Sequence, residues 1–557
     1  MTRRFLPHVL LVALVADYGQ AAAPIDCPIR LTDVTARTKI AFRHSDGGSG
    51  QRYIVESVVG GLASFDYDGD GLVDIYFLGG ALLKGTQAAV SPRNALYRNH
   101  GDWTFTDVTE QAGVGDLGYG MGVVAADYDN DGFPDLYISN FGPNVLYHNN
   151  GDGTFSNVTG AAGVARGDKV GAGPCFLDID GDGNLDLYAA NYVDFHYDNH
   201  IVRMIGPHQF HPGPGDYRPV PDNLFRNNGD GTFTDVSGPS GIAAVAGPGM
   251  GVISFDCDDD GDADIFVCND QAANFLFVND GHGRFVERAV QSGLAYDVHG
   301  KANGSMGVDC GDYDNDGRLD LFMTDYQQEM PVLYRNVGQG VFEDVTAASG
   351  AGRSAFPHVK WGTGFVDFDD DGNRDLFIAC GHFMDNIQYI DDRTAVKVRN
   401  ILLRNTGRGK FVDVSDRCGD GLAVVESSRG AAFDDLDNDG RVDVVVLNVN
   451  APPTIMRNET QTDSHWIQLR LVGVRSSREG VGARVQVVTG DRVQVAEVHS
   501  GRGYQSHFGT RLHFGLGRHA RIDRFVVRWL GGRVEEFAGV AADQGVVLME
   551  GTGIAAK

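Results

Sequence analysis

One nonapeptide constrains this chain more than any other feature. Asp66-Tyr-Asp-Gly-Asp-Gly-Leu-Val-Asp74 sets four carboxylates beside two glycines, and the pattern recurs from Asp127 (DYDNDGFPD), Asp178 (DIDGDGNLD), Asp256 (DCDDDGDAD), Asp312 (DYDNDGRLD), Asp367 (DFDDDGNRD) and Asp435 (DLDNDGRVD). The first aspartates are 61, 51, 78, 56, 55 and 68 residues apart, a period near 60 with insertions in the third and sixth intervals. Such a period is the mark of a repeat architecture.

The context repeats as well. A glycine stands five residues before each first aspartate (Gly61, Gly122, Gly173, Gly251, Gly307, Gly362 and Gly430), and an apolar run such as IYF, LYI or VVV follows each last one. A segment like NVLYHN, a Gly/Asp turn and a run like FSNVT complete the unit. Four short β runs separated by turns are the content of one propeller blade. The expected fold is all-β: a seven-bladed β-propeller over residues 29–458. A glycine at the fixed offset lets inner strands crowd a narrow axis. The last unit, ending near Glu459, lacks its fourth run, and Ile29-Arg-Leu-Thr-Asp-Val-Thr35 supplies one at the other end of the chain. This N-terminal run is expected to close the ring and hide its edges. From 459 to 551 the repeat stops but β runs continue (WIQLRLVGV, GARVQVVTG, VQVAEVHS, RFVVRWL), which predicts a separate small β domain, with 552–557 as a tail.

Carboxylates at positions one, three, five and nine with glycine at six match an oxygen-rich calcium loop. In the first copy Asp66, Asp68, Asp70 and Asp74 would give side-chain oxygens and Leu72 its carbonyl. The second set is Asp127, Asp129, Asp131 and Asp135 with Phe133; the third Asp178, Asp180, Asp182 and Asp186 with Asn184; the fourth Asp256, Asp258, Asp260 and Asp264 with Asp262. The fifth is Asp312, Asp314, Asp316 and Asp320 with Arg318; the sixth Asp367, Asp369, Asp371 and Asp375 with Asn373; the seventh Asp435, Asp437, Asp439 and Asp443 with Arg441. Up to seven Ca²⁺ are therefore expected, as staples rather than catalysts. One loop alone could be a solvated Asp-Gly turn, but seven in register are not. EF-hand or dockerin pairs need flanking helices, and the flanks here are β-like.

The net charge of −29 makes nucleic acid and anionic membranes poor partners. Residues 1–22 read as a signal peptide: Arg3-Arg4, an apolar run through Val9–Ala16, then Ala21-Ala22-Ala23. An exported protein, secreted or periplasmic, without membrane insertion is expected. The seven cysteines show no CxxC spacing, which speaks against zinc and leaves their pairing open.

The repeats resemble FG-GAP (VCBS) repeats, as in integrin α-subunit propellers, where such loops bind calcium. The segments HWIQLRL (465–471), EGVGARVQV (479–487), SGRGYQS (500–506), HFGLG (513–517) and VRWLGG (527–532) resemble an ASPIC/UnbV domain. Together they resemble the cartilage acidic protein family and its bacterial relatives, with departures at Ser477 and at Phe210-His211-Pro212. The resemblance implies a secreted calcium-binding protein without an established catalytic activity, here a scaffold for an extracellular protein or glycan. The alternative is a secreted or biosynthetic enzyme, a lyase or tailoring enzyme, whose site would gather His208, His211, His299, His358 and His382 in one pocket.

Overall fold

The computed structural model describes residues 27–87, 91–166 and 169–555; the expected signal peptide lies outside them. Among these residues there are seven four-stranded antiparallel sheets. The first comprises Leu62–Phe65, Asp74–Phe77, Ala95–Asn99 and Phe105–Asp107, and the second Tyr119–Ala126, Asp135–Phe141, Val145–Asn149 and Phe155–Asn157. The remaining five follow the same plan. The innermost strands touch in cyclic order, and Leu62–Phe65 of the first sheet meets Ser428–Asp434 of the last. The N-terminal strand completes the last sheet: Leu31, Thr32 and Asp33 pair antiparallel with Asn458, Arg457 and Met456.

The inner-strand glycines face backbone. A Cβ on Gly61 would stand 2.1 Å from the Gln505 carbonyl oxygen, and one on Gly307 2.4 Å from that of Trp361. No side chain fits there. Between adjacent blades the apolar runs interlock; Tyr76, Leu96, Val123, Leu136 and Ile138 form the layer between the first and second.

The C-terminal segment folds as two sheets. His465–Val472 lies between Leu512–Gly517 (antiparallel) and Gln544–Met549 (parallel). The second sheet runs in the order Arg492–Glu497, Arg484–Thr489, Arg524–Arg528, Val534–Ala538 and Ile554–Ala555, so part of the expected tail pairs as an edge strand. Ile467, Leu469, Val485, Phe525 and Trp529 fill the space between them.

This part is less separate than the sequence suggests. Residues 500–508 leave it and enter the axis of the ring. There the Phe176 amide donates to Ser500 O (3.2 Å), Val308 to Gly503 O (3.0 Å), Val123 to Gln505 O (3.1 Å) and Ser64 to His507 O (3.0 Å). Four blades thus spend inner-edge amides on one plug, groups that would otherwise be buried unpaired. Tyr504 donates its hydroxyl to Val58 O (2.8 Å) and packs edge-on against Trp361. Met121, Met250, Met306 and Trp361 are buried in one cluster with Tyr504.

Ring closure brings together cysteines that spacing could not pair. Cys27 Sγ lies 3.0 Å from Cys418 Sγ, just before the closing strand, whose Leu31 amide donates to Cys418 O (2.7 Å). Oxidation by glutathione disulfide is expected to join these two thiols, and Cys27→Ser to lower stability of the oxidised chain by about 2–4 kcal/mol. Peptide mapping after alkylation checks the pairing; seven free thiols after oxidation would contradict it.

Candidate metal centres

Each acid nonapeptide is the hairpin joining the inner strand of a blade to its second strand, with Phe65 opposite Asp74 and Ala126 opposite Asp135. The sharp turn needs a left-handed residue at position six, and Gly71 has φ +86°. The position-one carboxylate closes the turn from inside: Asp66 accepts from the Gly69 (2.8 Å) and Gly71 (2.9 Å) amides. Position five holds the amide of position seven, as in Leu72 to Asp70 Oδ1 (2.9 Å), Phe133 to Asp131 (2.9 Å) and Asn184 to Asp182 (2.9 Å). Asp262, Arg318, Asn373 and Arg441 donate likewise to Asp260, Asp316, Asp371 and Asp439.

The ninth aspartate is buried in every copy (Asp74, Asp135, Asp186, Asp264, Asp320, Asp375 and Asp443). It accepts two amides, for Asp74 those of Tyr67 (3.1 Å) and Asn99 (2.8 Å). Burial pushes these carboxyls up, Asp135 to about 7 and Asp264 to about 8. The first aspartates follow: burial, then the neighbouring Glu479, raises Asp127 to about 8, and burial raises Asp312 to about 7. Desolvation opposes these charges unless a cation compensates.

Do the residues fit a hard cation? Loop carboxylates converge in groups such as Asp66/Asp68/Asp70, Asp127/Asp129/Asp135 and Asp178/Asp180/Asp186, with ligand atoms within 4.8 Å of one another. At position three, Asp180, Asp258, Asp314, Asp369 and Asp437 each keep a buried Oδ1 without a hydrogen-bond partner. An unpartnered carboxylate oxygen beside other carboxylates has the hard-donor chemistry of a calcium shell.

Three features of these centres were not read from the sequence. The first is a basic residue on the third strand of six of the seven blades. Arg98 Nε lies 2.7 Å from Asp68 Oδ2, Arg226 Nη2 2.7 Å from Asp180 Oδ2, Arg335 Nε 3.0 Å from Asp314 Oδ2, and Arg404 and Arg457 Nη2 2.7 and 2.9 Å from Asp369 and Asp437 Oδ2. Each holds one oxygen of position three, and at Asp180, Asp314, Asp369 and Asp437 the other oxygen has no partner; a neighbouring side chain that fixes a carboxylate in this way orients it for a cation. In the second blade the residue is His148, 3.2 Å from Asp129 and 3.3 Å from Asp135, so an imidazole stands beside this loop. In the fourth it is Val278, and Arg528 and Arg484 from the C-terminal part reach Asp256 and Asp259 instead. There Cys257 Sγ also sits within reach of Asp258 and Asp264.

The second feature is a belt of asparagines, one on each third strand. The Asn99 side chain donates to Leu436 O of the seventh loop (2.7 Å), Asn149 to Tyr67 O (2.8 Å), Asn227 to Tyr128 O (2.9 Å) and Asn279 to Ile179 O (2.9 Å). Asn336 donates to Cys257 O (3.2 Å), Asn405 to Tyr313 O (2.8 Å) and Asn458 to Phe368 O (3.0 Å), which closes the circle. The same asparagines donate their backbone amides to the ninth aspartate of their own loop, 2.7–2.9 Å away. Every loop is thereby fastened to its blade and to the next blade.

The third is the cover. The C-terminal part lies on the acid-loop face: Arg511 donates to Asp435 O (2.8 Å), Gln468 to Asp435 Oδ2 (2.8 Å), Arg492 to Asp371 O (2.9 Å) and Arg484 to Gly317 O (2.6 Å). His513 Nε2 is 2.7 Å from Asp370 Oδ1, and Glu479 accepts the Asp127 amide (2.9 Å).

The histidines do not assemble into one site. His211 and His382 both pack on Phe383. Burial, then Arg429, holds His382 down to about 3, and its Nδ1 accepts the Met384 amide. His208 instead stacks on Tyr389, and His299 stands in a turn with its amide on Asp297. Burial, then the charge of Lys360, holds His358 below the usual imidazole range.

A closed ring of acid-loop blades, capped on its loop face by a small two-sheet domain, defines the class of protein. A family profile described as FG-GAP-like repeat matches residues 66–138, 127–189, 256–323, 312–378 and 367–446, and one described as ASPIC and UnbV matches 473–555. The chain belongs to the FG-GAP-like repeat proteins. It is 25% identical to human cartilage acidic protein 1 over 440 residues, covering 75% of this chain and 61% of that protein. The mouse protein is 24% identical over 440 residues, with 75% and 62% covered. The chain thus spans about three fifths of the length of these relatives. Among solved structures, an Agrocybe aegerita lectin specific for non-reducing terminal N-acetylglucosamine has 18% identity and a TM-score of 0.35, covering 64% of this chain and 79% of its own. A Bacillus licheniformis rhamnogalacturonan lyase has 13% identity and a TM-score of 0.38, covering 78% and 76%.

Replacing a belt residue tests the geometry. Asn149→Ala leaves the Tyr67 and Pro134 carbonyls, its acceptors at 2.8 and 3.0 Å, unpaired. The expected loss is about 2–4 kcal/mol in denaturant unfolding; a loss below about 0.5 kcal/mol, as for an ordinary surface change, would contradict the belt.

Proposed function

We propose that this chain is an exported, calcium-stapled binding scaffold that presents the uncovered mouth of its ring to an extracellular protein or glycan. The observation that carries the reading is the division of the two faces. The C-terminal part covers the acid loops and fills the axis, so the carboxylates are committed to holding the ring. The opposite mouth is framed by the insertions around 195–221 and 381–398, and loops on a rigid scaffold are where binding residues concentrate.

Calcium is the fitting ion because the loops offer hard oxygens in a glycine-turned hairpin. Position one, three, five and nine carboxylates of each loop would hold it, and the third-strand arginines would orient them. Bound ions neutralise charge that burial otherwise disfavours. Seven dications add +14 and take the formal charge from −29 to −15. Free calcium at ten times a site's dissociation constant stabilises by about 1.4 kcal/mol, so seven equal sites contribute on the order of 10 kcal/mol. Export rests on the reading of residues 1–22, and among the described residues no helix is long and apolar enough to cross a membrane.

Elemental analysis of the purified chain is expected to find several calcium ions per molecule, and excess chelator to lower Tm by many degrees. An unchanged melting curve in chelator would overturn the staple. The binding face is tested separately by capture from extracellular fluid. Retained ligands should be lost on substituting residues at the open mouth and kept on substituting exposed residues of the C-terminal part; the reverse pattern would move the site to the cap.

A further inference from the structure

The open mouth contains a cavity of about 220 Å³ just above the axial plug. Its walls are largely apolar or aromatic, with Met306, Phe383 and Met384 beside Tyr192, Tyr326 and Trp361. Two polar side chains, both more than nine-tenths buried, line it with an atom left over. Asp270 is 5% exposed; its Oδ2 accepts the Tyr192 hydroxyl (2.7 Å), but its Oδ1 has no partner. His211 is 6% exposed; its Nε2 faces Glu56 Oε2 at 3.7 Å, and its Nδ1 has no partner. Arg203, exposed at the rim, is held by Asp216 at 3.0 Å.

An unpaired acceptor oxygen buried among aromatic rings is costly unless something donates to it. We infer that this cavity is a binding site for an alkylammonium group of the lysine side-chain type, with its charged head on Asp270 Oδ1 and its stem along Met306, Phe383 and Met384. The inference rests on the open-mouth reading of the scaffold and gives that mouth a ligand chemistry.

The alternatives fit less well. A sugar ring carries several hydroxyls, and apolar walls would leave most of them unpaired. An anion would meet the Asp270 carboxylate, with the rim arginine already engaged. One carboxylate and one imidazole are too few protein ligands for a structural or catalytic zinc site. An ammonium head satisfies the orphan oxygen, can donate a second hydrogen bond to His211 Nδ1, and is attracted by the faces of tyrosine and tryptophan.

The test uses the full calcium-loaded chain with n-pentylammonium and its uncharged analogue n-pentanol, by titration calorimetry. Saturable one-to-one binding of the ammonium is expected, with n-pentanol weaker by about thirtyfold or more, the effect of losing one partner of a buried charge pair. Asp270→Asn keeps an acceptor for Tyr192 and should weaken ammonium binding by a similar factor. Met384→Trp fills the cavity without touching Asp270 and should abolish it. Equal affinity for amine and alcohol, absence of saturable binding, or indifference to both substitutions would overturn the inference. Melting curves of the same samples with and without chelator separate this failure from that of the scaffold: no ammonium binding with calcium-dependent melting intact removes the ligand chemistry alone.

Discussion

The structure depends on one repeated interaction, the double use of the asparagine on each blade's third strand. Its backbone amide fixes the ninth aspartate of its own loop, and its side chain fixes the second residue of the preceding loop. A single blade buries too little surface to stand alone, and the interfaces between blades are all equivalent in kind. A belt that passes through seven loops and returns to its start therefore couples local loop order to ring closure. Loosening one loop disturbs its own hairpin and the blade beside it.

The belt also explains why charge crowding is tolerated. The ninth carboxylate accepts two amides and is buried, so it cannot turn away to escape its neighbours. The arginine or histidine one residue before the asparagine answers part of the repulsion from outside the loop. Where the fourth blade has Val278, Arg528 and Arg484 arrive from the cap. The cap thus contributes to the acid loops as well as to the axis, and its segment 500–508 takes up inner-strand amides from four of the blades. This division leaves the other mouth as the place where the chain is least self-satisfied, with Asp270 and His211 each holding a buried atom in reserve.

Much of this was legible in the sequence because the repeat carries it. Loop aspartates, inner glycines, four strands per unit and the N-terminal closing strand all recur at fixed offsets or fill a visible gap. The belt asparagines were legible in principle, since every third strand carries one, from LYRN to TIMRN. Their acceptors are main-chain carbonyls of Tyr67, Tyr128, Ile179 or Cys257, so no shared side chain marks the partner. The axial plug left no local signal at all. Tyr504, Gln505 and His507 meet residues several hundred positions earlier, and SGRGYQS reads as an ordinary turn-rich stretch until the ring is closed around it. The Cys27–Cys418 contact and the Asp270 cavity are hidden for the same reason: they exist only after blades distant in sequence become adjacent.

The central claim, that a cation in each loop holds the asparagine belt and so the ring, is tested most directly by hydrogen exchange at the belt amides of Asn99, Asn149, Asn227, Asn279, Asn336, Asn405 and Asn458. In calcium these amides should be among the slowest in the chain. In excess chelator they should lose protection together, ahead of the strand amides around them. Unchanged protection in chelator, or loss confined to isolated blades, would contradict the account.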